Sequence, residues 1–241
     1  MRQLLLLSNS TNHGCGYLDH AMPAVREFLG PVHRLAFVPF ALQDHSGCTA
    51  RVRERFGREG IEVLGITPDP AGGAALAAAE AVFVGGGNTF RLLDRLQRSD
   101  LLDLLRTRAQ DGMPYLGASA GTNIAAPTIK TTNDMPIVQP ADFGALGLVP
   151  FQINPHYIDP DPSSRHMGET REERLREFLE ENETPVVGLR EGAWLREAGA
   201  SLRLEGTAGA RVFRRGREPQ EVAPGTALDE LLRPRRREGG A

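Results

Sequence analysis

The residues best suited to chemistry lie in the pentapeptide Gly117-Ala118-Ser119-Ala120-Gly121, which fits the pattern G-x-S-x-G. This pattern is typical of a serine on a sharp strand-to-helix turn, where strained backbone geometry favours small neighbours. The turn would lift the hydroxyl of Ser119 above the carboxyl edge of a sheet. The backbone N–H of Ala120, at the start of the following helix, would then stabilise an oxyanion. We predict a nucleophilic serine; the competing interpretation is a small-residue turn that packs a helix against a strand.

A second glycine cluster, Gly85-Gly86-Gly87-Asn88-Thr89, follows a predicted buried strand. Ligands of parallel α/β sheets bind outside the carboxyl ends of the strands, so this loop and Ser119 would face one crevice. There the backbone N–H of Gly87 or Gly86 would supply a second oxyanion donor. A phosphate cradle and a plain tight turn are the alternatives, although neither G-x-G-x-x-G nor a P-loop Gly-Lys-Ser/Thr is present.

A serine hydroxyl needs a base to take its proton. His156 directly follows an apolar run at 148–153 and therefore lies at another predicted strand end, so we predict that it is the base. The other histidines occupy positions typical of structural or solvated side chains: His13, His20, His33, His45 and His166. The sole lysine, Lys130, does not stand in S-x-x-K spacing after Ser119, which argues against a Ser–Lys dyad.

A third group must orient the imidazole. Asp134 and Glu191 both lie in loops beside apolar runs, and spacing alone does not choose between them. A solvated loop carboxylate is the competing interpretation for either one. A metal mechanism is not indicated, because the sequence has no H-E-x-x-H and no Cys/His ligand cluster.

These residues require a framework in which strands end side by side. Short apolar runs at 4–7, 35–38, 61–66, 81–84, 114–118 and 185–189 predict buried strands. They alternate with predicted helices at 20–29, 49–57, 74–80 and, as two pieces, 89–110. Such alternation predicts a parallel sheet covered on both faces. Short runs at 193–197, 201–204 and 210–214 predict an antiparallel meander at the edge of the sheet.

The fold class is therefore α/β, a three-layer sandwich with a mostly parallel central sheet and antiparallel strands near the C-terminus. We expect one hydrolytic domain over 1–228 and a poorly ordered tail over 229–241, which contains a run of arginines.

Composition excludes several other functions. A net charge of −3 over 241 residues gives no reason to expect a nucleic-acid partner. The apolar run at 4–7 is too short for a secretion signal, and no run approaches the length of a membrane span. Cys15 and Cys48 match no metal spacing and are too few for a disulfide scaffold. We therefore expect a cytoplasmic protein.

Taken together, the motifs resemble the peptidase E family of serine peptidases, the α-aspartyl dipeptidases. The matching stretches lie at 4–11, 84–90, 117–121, 131–137, 152–156, 168–171 and 191–192, and they run in family order over most of the chain. Their number and length make an accidental match improbable. One position departs from the family pattern: Ala118 stands where a larger aromatic residue is expected, which affects the shape of the pocket but not the nucleophile.

The resemblance implies a fold similar to that of the class I glutamine amidotransferases, with serine in place of their cysteine. It implies hydrolysis of dipeptides with an N-terminal aspartate, without a metal or organic cofactor. The family's nucleophile falls on Ser119 and its histidine on His156, and its acid has been placed on either of the positions matching Asp134 and Glu191. Both acids are therefore candidates, and we prefer Asp134.

The implied substrate also needs binding groups. We expect Arg171 to bind the aspartate carboxylate and Asn88 to contribute to the substrate site, while the acid that does not hold His156 pairs with the ammonium. Small dipeptides are the expected partners, with no nucleic acid and no membrane, and a homodimer is left open. The rival functions are a cyanophycinase-like peptidase that acts on β-aspartyl-arginine polymer, and a catalytically silent protein that binds a small anion.

Overall fold

The computed structural model describes residues 1–161, 163, 165 and 167–233. In chain order the strands are β1 Gln3–Leu7, β2 Arg34–Val38, β3 Glu62–Gly65, β4 Ala81–Val84, β5 Tyr115–Ala118, β6 Gln152–Pro155, β7 Val186–Leu189, β8 Ala193–Ala198, β9 Ser201–Gly206, β10 Ala210–Phe213 and β11 Gln220–Val222. The helices are α1 Met22–Leu29, α2 His45–Gly57, α3 Pro70–Ala78, α4 Thr89–Arg98, α5 Leu101–Gln110, α6 Ala120–Asn123 and α7 Arg171–Glu181.

The larger sheet has the strand order β3-β2-β4-β5-β1-β8-β9. The strands from β3 to β1 pair in parallel, and β8 and β9 continue the sheet in antiparallel pairing. The predicted fold class, with a mostly parallel central sheet and antiparallel strands near the C-terminus, is confirmed. Because β1, β4 and β5 are neighbours, the loops that follow them meet at one edge of the sheet.

Both faces of this sheet are buried, as the continuous apolar run of β1 predicts. Leu4 and Leu6 pack into a cluster that contains the apolar side chains of α4 and α5. Leu5 and Leu7 point to the opposite face and pack with α1 and α2. Alternate residues of one strand therefore join two separate hydrophobic clusters, and the sheet forms the middle layer of a sandwich.

A second sheet, with the order β11-β10-β7-β6, was not predicted from the sequence. Its strands β6 and β7 pair in parallel, and β10 pairs antiparallel with both β7 and β11. Ile153, Val187 and Val212 belong to the same cluster as Leu4 and Leu6. The predicted meander is thus divided: β8 and β9 extend the larger sheet, while β10 joins the smaller one. Pairing between distant segments leaves no local pattern, so the alternation of apolar residues could not reveal it.

Helices α2 and α3 begin earlier than predicted because capping residues fix their first turns, whereas α1 begins two residues later, at Met22, without a side-chain cap. The α2 helix begins at His45, where Asp44 accepts a hydrogen bond from the Gly47 N–H at 2.8 Å. The α3 helix begins at Pro70, where Asp69 accepts from the Gly72 N–H at 2.9 Å. An acidic cap in front of a small or proline-containing first turn stabilises a helix start without an apolar repeat.

The predicted tail boundary after residue 228 is too early. Asp229–Leu232 form a 3₁₀ turn, Leu231 is buried, and the Asp229 carboxylate accepts a hydrogen bond from the Leu202 N–H at 2.7 Å. The rest of the predicted tail, from residue 234, lies outside the described residues. Among the helices of the described part of the chain, none has the length and apolar character that crossing a bilayer requires.

Candidate active site

Ser119 lies between the end of β5 and the start of α6, as its pentapeptide predicts. Its backbone has φ 53° and ψ −110°, a conformation that side-chain-bearing residues rarely adopt. The flanking glycines are required by packing: a Cβ on Gly121 would overlap the carbonyl oxygen of Val84, and one on Gly117 would lie 2.7 Å from the carbonyl oxygen of Gly121. The α6 helix is only four residues long, so any contribution of its dipole at Ser119 is small.

His156 follows β6 and points its imidazole at the serine. Its Nε2 lies 2.9 Å from the Ser119 Oγ, which is hydrogen-bonding distance. His156 also has a positive φ, 53°, so both residues of this pair lie in the sparsely populated left-handed region. Strand β6 is shorter than the apolar run that led to this prediction, because Leu148 and Val149 donate backbone hydrogen bonds to the Ala125 carbonyl instead of joining a sheet.

Glu191 holds the other side of the imidazole. It follows β7, the parallel neighbour of β6, and its Oε1 lies 2.6 Å from the His156 Nδ1. The three groups Ser119, His156 and Glu191 therefore form one hydrogen-bonded series with the geometry of a catalytic triad. The His156 side chain is 39% exposed and that of Glu191 is 54% exposed, so the pair lies at an open surface of the chain.

Asp134, the acid preferred in the sequence analysis, does not occupy this position. One of its oxygens accepts hydrogen bonds from the Thr89 N–H at 2.7 Å and from the Thr132 hydroxyl at 3.2 Å. Asp134 thus binds the first turn of α4, where an anion is favourable, and among the described residues it makes no hydrogen bond with His156. The preference for Asp134 disagrees with this geometry, because parallel pairing of β6 with β7 brings the Glu191 loop to the imidazole.

Asn88 has a similar capping role at the start of α4. Its side-chain oxygen accepts from the Arg91 N–H at 3.0 Å, and its amide donates to the Met135 carbonyl at 2.9 Å. Asn88 and Asp134 together fix the loop at 131–137 against the glycine loop after β4. This arrangement explains why an asparagine is suited to position 88 without any contact to a ligand.

The glycine loop lies directly beside the serine. A Cβ on Gly86 would come 3.1 Å from the Ser119 Cβ, and Gly87 has φ 135°, with a would-be Cβ only 2.6 Å from the Ala41 carbonyl oxygen. Within the described residues, the backbone N–H groups of Gly86, Gly87 and Ala120 donate no hydrogen bond. These free donors next to a nucleophile are the arrangement that an oxyanion site needs.

A cavity of about 310 Å³ opens in front of the serine. Its lining comprises the reactive pair, the glycine loop, the segment after β1 and part of α2: Ser119, His156, Gly86, Gly87, Asn9, Ser10, Thr11, Tyr17, Leu42, Cys48 and Arg51. Burial raises the pKa of the Cys48 thiol, which keeps it protonated and makes it a poor competitor as nucleophile. The buried Ala118, which precedes Ser119, is not among the residues that line this cavity.

Arg51 and the segment after β1 were not predicted as site residues. Arg51 is exposed on α2 and lines the cavity, and it makes no hydrogen bond or ion pair with the rest of the described chain. The signal for Asn9 to Thr11 was present, since they follow a buried parallel strand just as Ser119 and His156 do. No such signal existed for Arg51, because helix periodicity does not reveal which residues face a crevice.

Arg171 begins α7 and is not among the described lining residues of the cavity. Burial lowers its pKa, the nearby Arg174 acts in the same direction, and the negative charge of Asp134 opposes both. The neighbouring Thr170 and Glu173 form a reciprocal capping box that fixes this helix start. Arg171 is therefore held by a well-defined turn, near enough to Asp134 for the two charges to interact.

No group of three or more His, Cys, Asp or Glu side chains suited to a metal ion occurs in the described parts of the chain.

The chain is similar to proteins of one peptidase family. The model of peptidase family S51 matches residues 4–205. The protein named "Peptidase E" of Streptomyces coelicolor is 61% identical over 229 residues, which cover 95% of this chain and 94% of that protein. The "Probable alpha-aspartyl dipeptidase" of Drosophila melanogaster is 48% identical over 234 residues, covering 96% and 98% of the two chains. A solved peptidase structure from an acI-B1 Actinobacterium has a TM-score of 0.71 at 16% identity, covers 95% of this chain and 96% of its own, and supports the fold alone.

Proposed function

Because the chain belongs to peptidase family S51, we propose that it is a serine peptidase that hydrolyses dipeptides with an N-terminal aspartate. The observation that carries the proposal is the hydrogen-bonded series from the Ser119 hydroxyl through His156 to the Glu191 carboxylate. The substrate class is supported by the name of the Drosophila relative, an alpha-aspartyl dipeptidase that is similar over nearly its whole length.

In the first half of the proposed reaction, the Ser119 Oγ attacks the carbonyl carbon of the peptide bond while its proton passes to the His156 Nε2. Glu191 keeps the imidazole oriented and stabilises the imidazolium that forms. The carbonyl oxygen becomes an oxyanion, which the N–H groups of Gly87 and Ala120 bind, with Gly86 as the alternative donor on the glycine loop. When the C–N bond breaks, His156 returns the proton to the leaving amine, and an aspartyl ester remains on Ser119.

In the second half, water replaces the leaving amine. His156 takes a proton from the water, and the resulting oxygen nucleophile attacks the ester carbonyl through the same oxyanion site. Collapse of the intermediate breaks the ester bond and returns the proton to the Ser119 Oγ. The products are free aspartate and the second amino acid, and the enzyme recovers its starting protonation.

We assign the side-chain carboxylate of the substrate aspartate to Arg51. Arg51 lines the cavity that contains Ser119, and it forms no ion pair with a carboxylate of the described residues, although its charge helps to lower the pKa of the nearby Asp44. Arginine binds carboxylates through two parallel N–H groups, which gives both charge and shape selectivity. Arg171, predicted from the sequence, is the alternative; it does not line this cavity, so a substrate bound there would have to extend toward Asp134 to reach it.

A dipeptide panel tests the proposed function. We expect hydrolysis of Asp-Leu and Asp-Ala, with much slower hydrolysis of Asn-Leu and Glu-Leu. Ser119→Ala should lower kcat on Asp-Leu by on the order of 10⁴-fold or more, because the covalent route is lost. A fluorophosphonate probe should label the wild-type protein and not Ser119→Ala. Unchanged turnover by Ser119→Ala would exclude the mechanism, and a wild-type protein that resists labelling would point to a silent anion-binding site.

The same panel separates the two arginines. We expect Arg51→Gln to lower kcat/KM for Asp-Leu by about 10- to 100-fold, the value of one charge-assisted contact, and to change Asn-Leu far less. Arg171→Gln is the matched control and should leave the Asp-Leu to Asn-Leu ratio close to that of wild type. If Arg171→Gln shows the selective loss and Arg51→Gln stays close to wild type, the substrate carboxylate is bound by Arg171 instead.

The cyanophycinase-like alternative is tested by offering β-aspartyl-arginine polymer beside Asp-Leu. Release of β-aspartyl-arginine at a rate above that for Asp-Leu would favour this alternative. A cytoplasmic location and a homodimer are also expectations from the sequence, and cell fractionation and sedimentation velocity test them.

A further inference from the structure

The end of β1 is placed where it contacts the segments carrying all three groups of the proposed triad. β1 lies between β5, which leads to Ser119, and β8, which follows the Glu191 loop. The backbone of Ser119 donates a hydrogen bond from its N–H to the Leu7 carbonyl at 3.1 Å. The two residues that follow Leu7, Ser8 and Asn9, are both buried and polar.

The Ser8 hydroxyl joins two segments that carry the other triad members. It donates a hydrogen bond to the Leu189 carbonyl at 2.8 Å and accepts one from the His156 N–H at 3.0 Å. Leu189 ends β7, just before the Glu191 loop, and His156 follows β6. A hydroxyl is suited to this position because it can donate and accept at the same time, which neither a methyl group nor an amide N–H can do.

Asn9 extends the same arrangement to the acid. Its side-chain oxygen accepts a hydrogen bond from the Gly192 N–H at 2.9 Å, next to Glu191 in the chain. Its amide donates to the Thr11 carbonyl at 3.0 Å and to the Asn12 side chain at 2.7 Å, so its orientation is fixed. Leu7, Ser8 and Asn9 thus bind the backbones beside the nucleophile, the base and the acid in turn.

The contact to His156 has a specific consequence, because His156 has a positive φ of 53°. A non-glycine residue in this region is strained and is held there only by its surroundings. The Ser8 hydroxyl binds the N–H of this same residue. Without that bond, the backbone could relax toward a more ordinary conformation and rotate the imidazole away from the Ser119 Oγ.

We propose that Ser8 is a positioning residue that holds the His156 backbone in its left-handed conformation and in register with the Glu191 loop. Ser8 is not a lining residue of the cavity, and its hydroxyl bonds to backbone groups of Leu189 and His156. It acts through His156, and the proposal therefore rests on the proposed triad. Ser8 follows β1 of the larger sheet, whereas β6 and β7 belong to the smaller sheet. The hydrogen bonds of the Ser8 hydroxyl to Leu189 and His156 therefore connect the two sheets at the site.

Ser8→Ala tests the proposal. We expect kcat on Asp-Leu to fall by about 10- to 100-fold, the effect of a small misplacement of a catalytic group, with KM within about twofold of wild type. We also expect the low-field proton resonance of the His156 Nδ1–H, which reports the bond to Glu191, to shift or broaden. Ser8→Thr keeps the hydroxyl and should restore kcat, while Ser8→Cys is close in size, bonds weakly and should behave like Ser8→Ala.

Thr131→Val is the matched control. The Thr131 hydroxyl is also buried and donates to a β6 carbonyl, that of Ile153, at 2.9 Å, but it does not bind His156. We expect Thr131→Val to lower thermal stability without changing the His156 resonance or kcat. If Ser8→Ala fails to fold, the Ser8→Cys variant carries the same test.

The outcomes separate this inference from the proposed function. A wild-type protein that neither hydrolyses Asp-Leu nor reacts with the fluorophosphonate probe would exclude the proposed function. An active wild-type protein with Ser8→Ala or Ser8→Cys at wild-type kcat and an unmoved His156 resonance would overturn the role of Ser8 alone.

Discussion

At the residue scale, the serine and the histidine of the site share a backbone feature. Both have φ 53°, and each stands immediately after a buried strand, Ser119 after β5 and His156 after β6. The strained conformation turns each side chain out of its sheet toward the other at the point where the strand stops. The N–H groups of Ser119 and His156 donate hydrogen bonds to the Leu7 carbonyl and the Ser8 hydroxyl, which hold this geometry. Strain of this kind is concentrated at functional sites.

The two candidate acids should respond differently to removal of their charge. Glu191→Gln should lower kcat on Asp-Leu by on the order of 10²- to 10⁴-fold with little change in KM, because the imidazole loses the partner that orients it. Asp134→Asn should keep kcat within a few-fold, since Asp134 binds the first turn of α4 instead. Steady-state kinetics of both variants check this. If Asp134→Asn loses more kcat than Glu191→Gln, the contact between Glu191 and His156 is not the catalytic one.

The same contrast shows what the sequence could reveal about single residues. Ser119 and His156 were predicted because each follows an apolar strand, and the ends of parallel strands meet at one edge. Glu191 and Asp134 both satisfied this rule. Only the parallel pairing of β6 with β7 decides which carboxylate reaches the imidazole, and strand pairing is a long-range property.

At the scale of elements, some glycine positions require glycine because a Cβ would overlap the backbone, whereas others accept a side chain. Gly73 lies within α3, where an added Cβ would meet only the Leu101 side chain at 3.6 Å, an ordinary contact. Gly73→Ala should therefore stabilise the protein by about 0.5–1 kcal/mol. Scanning calorimetry should show a Tm increase of roughly 1–4 °C. Gly121→Ala, whose Cβ would overlap the Val84 carbonyl, should instead fail to fold stably.

The starts of α2 and α3 show the limit of periodicity at this scale. Apolar spacing predicted later starts, because the first turns of both helices contain few apolar residues. Asp44 and Asp69 bind those turns through backbone N–H groups, and a cap of this kind does not depend on the apolar pattern. Strand β4, by contrast, was predicted at its observed bounds because every residue in it is buried.

The pairing of β1 with β8 contains a buried charge that should make stability depend on pH. Burial raises the pKa of Glu197, and the hydrogen bond and charge of Arg2 oppose this only in part. The folded state therefore holds this proton more tightly than the unfolded state does. The resulting stabilisation is present in full below the unfolded pKa and is lost as pH rises through the folded pKa.

Glu197→Gln should remove that dependence. Relative to wild type, the variant should gain unfolding free energy as pH rises from about 4.5, the ordinary glutamate value, toward neutrality. Urea titrations at several pH values measure this difference. Glu62→Gln, at an exposed position of β3, is the control and should follow wild type. A constant offset between Glu197→Gln and wild type at every pH would contradict the prediction.

At the scale of the whole molecule, the two sheets share one hydrophobic cluster, which favours the predicted single domain. Ile153 of the smaller sheet is fully buried in the cluster that also contains Leu4 and Leu6 of the larger one. Ile153→Ala should cost about 2–5 kcal/mol through lost burial and the cavity left behind. If the two sheets unfold together, a probe on the larger sheet must report the same loss of stability.

The single tryptophan provides that probe, because Trp194 lies on β8 of the larger sheet and packs in the other hydrophobic cluster. In urea, Ile153→Ala should move the Trp194 fluorescence transition and the far-ultraviolet circular dichroism transition to the same lower midpoint, as one cooperative unit requires. A tryptophan transition that stays at the wild-type midpoint while the dichroism shifts would show that the smaller sheet unfolds separately. In that case β6 and β7 could release His156 and Glu191 from Ser119 while the larger sheet remained folded, and the site would be the least stable part of the molecule.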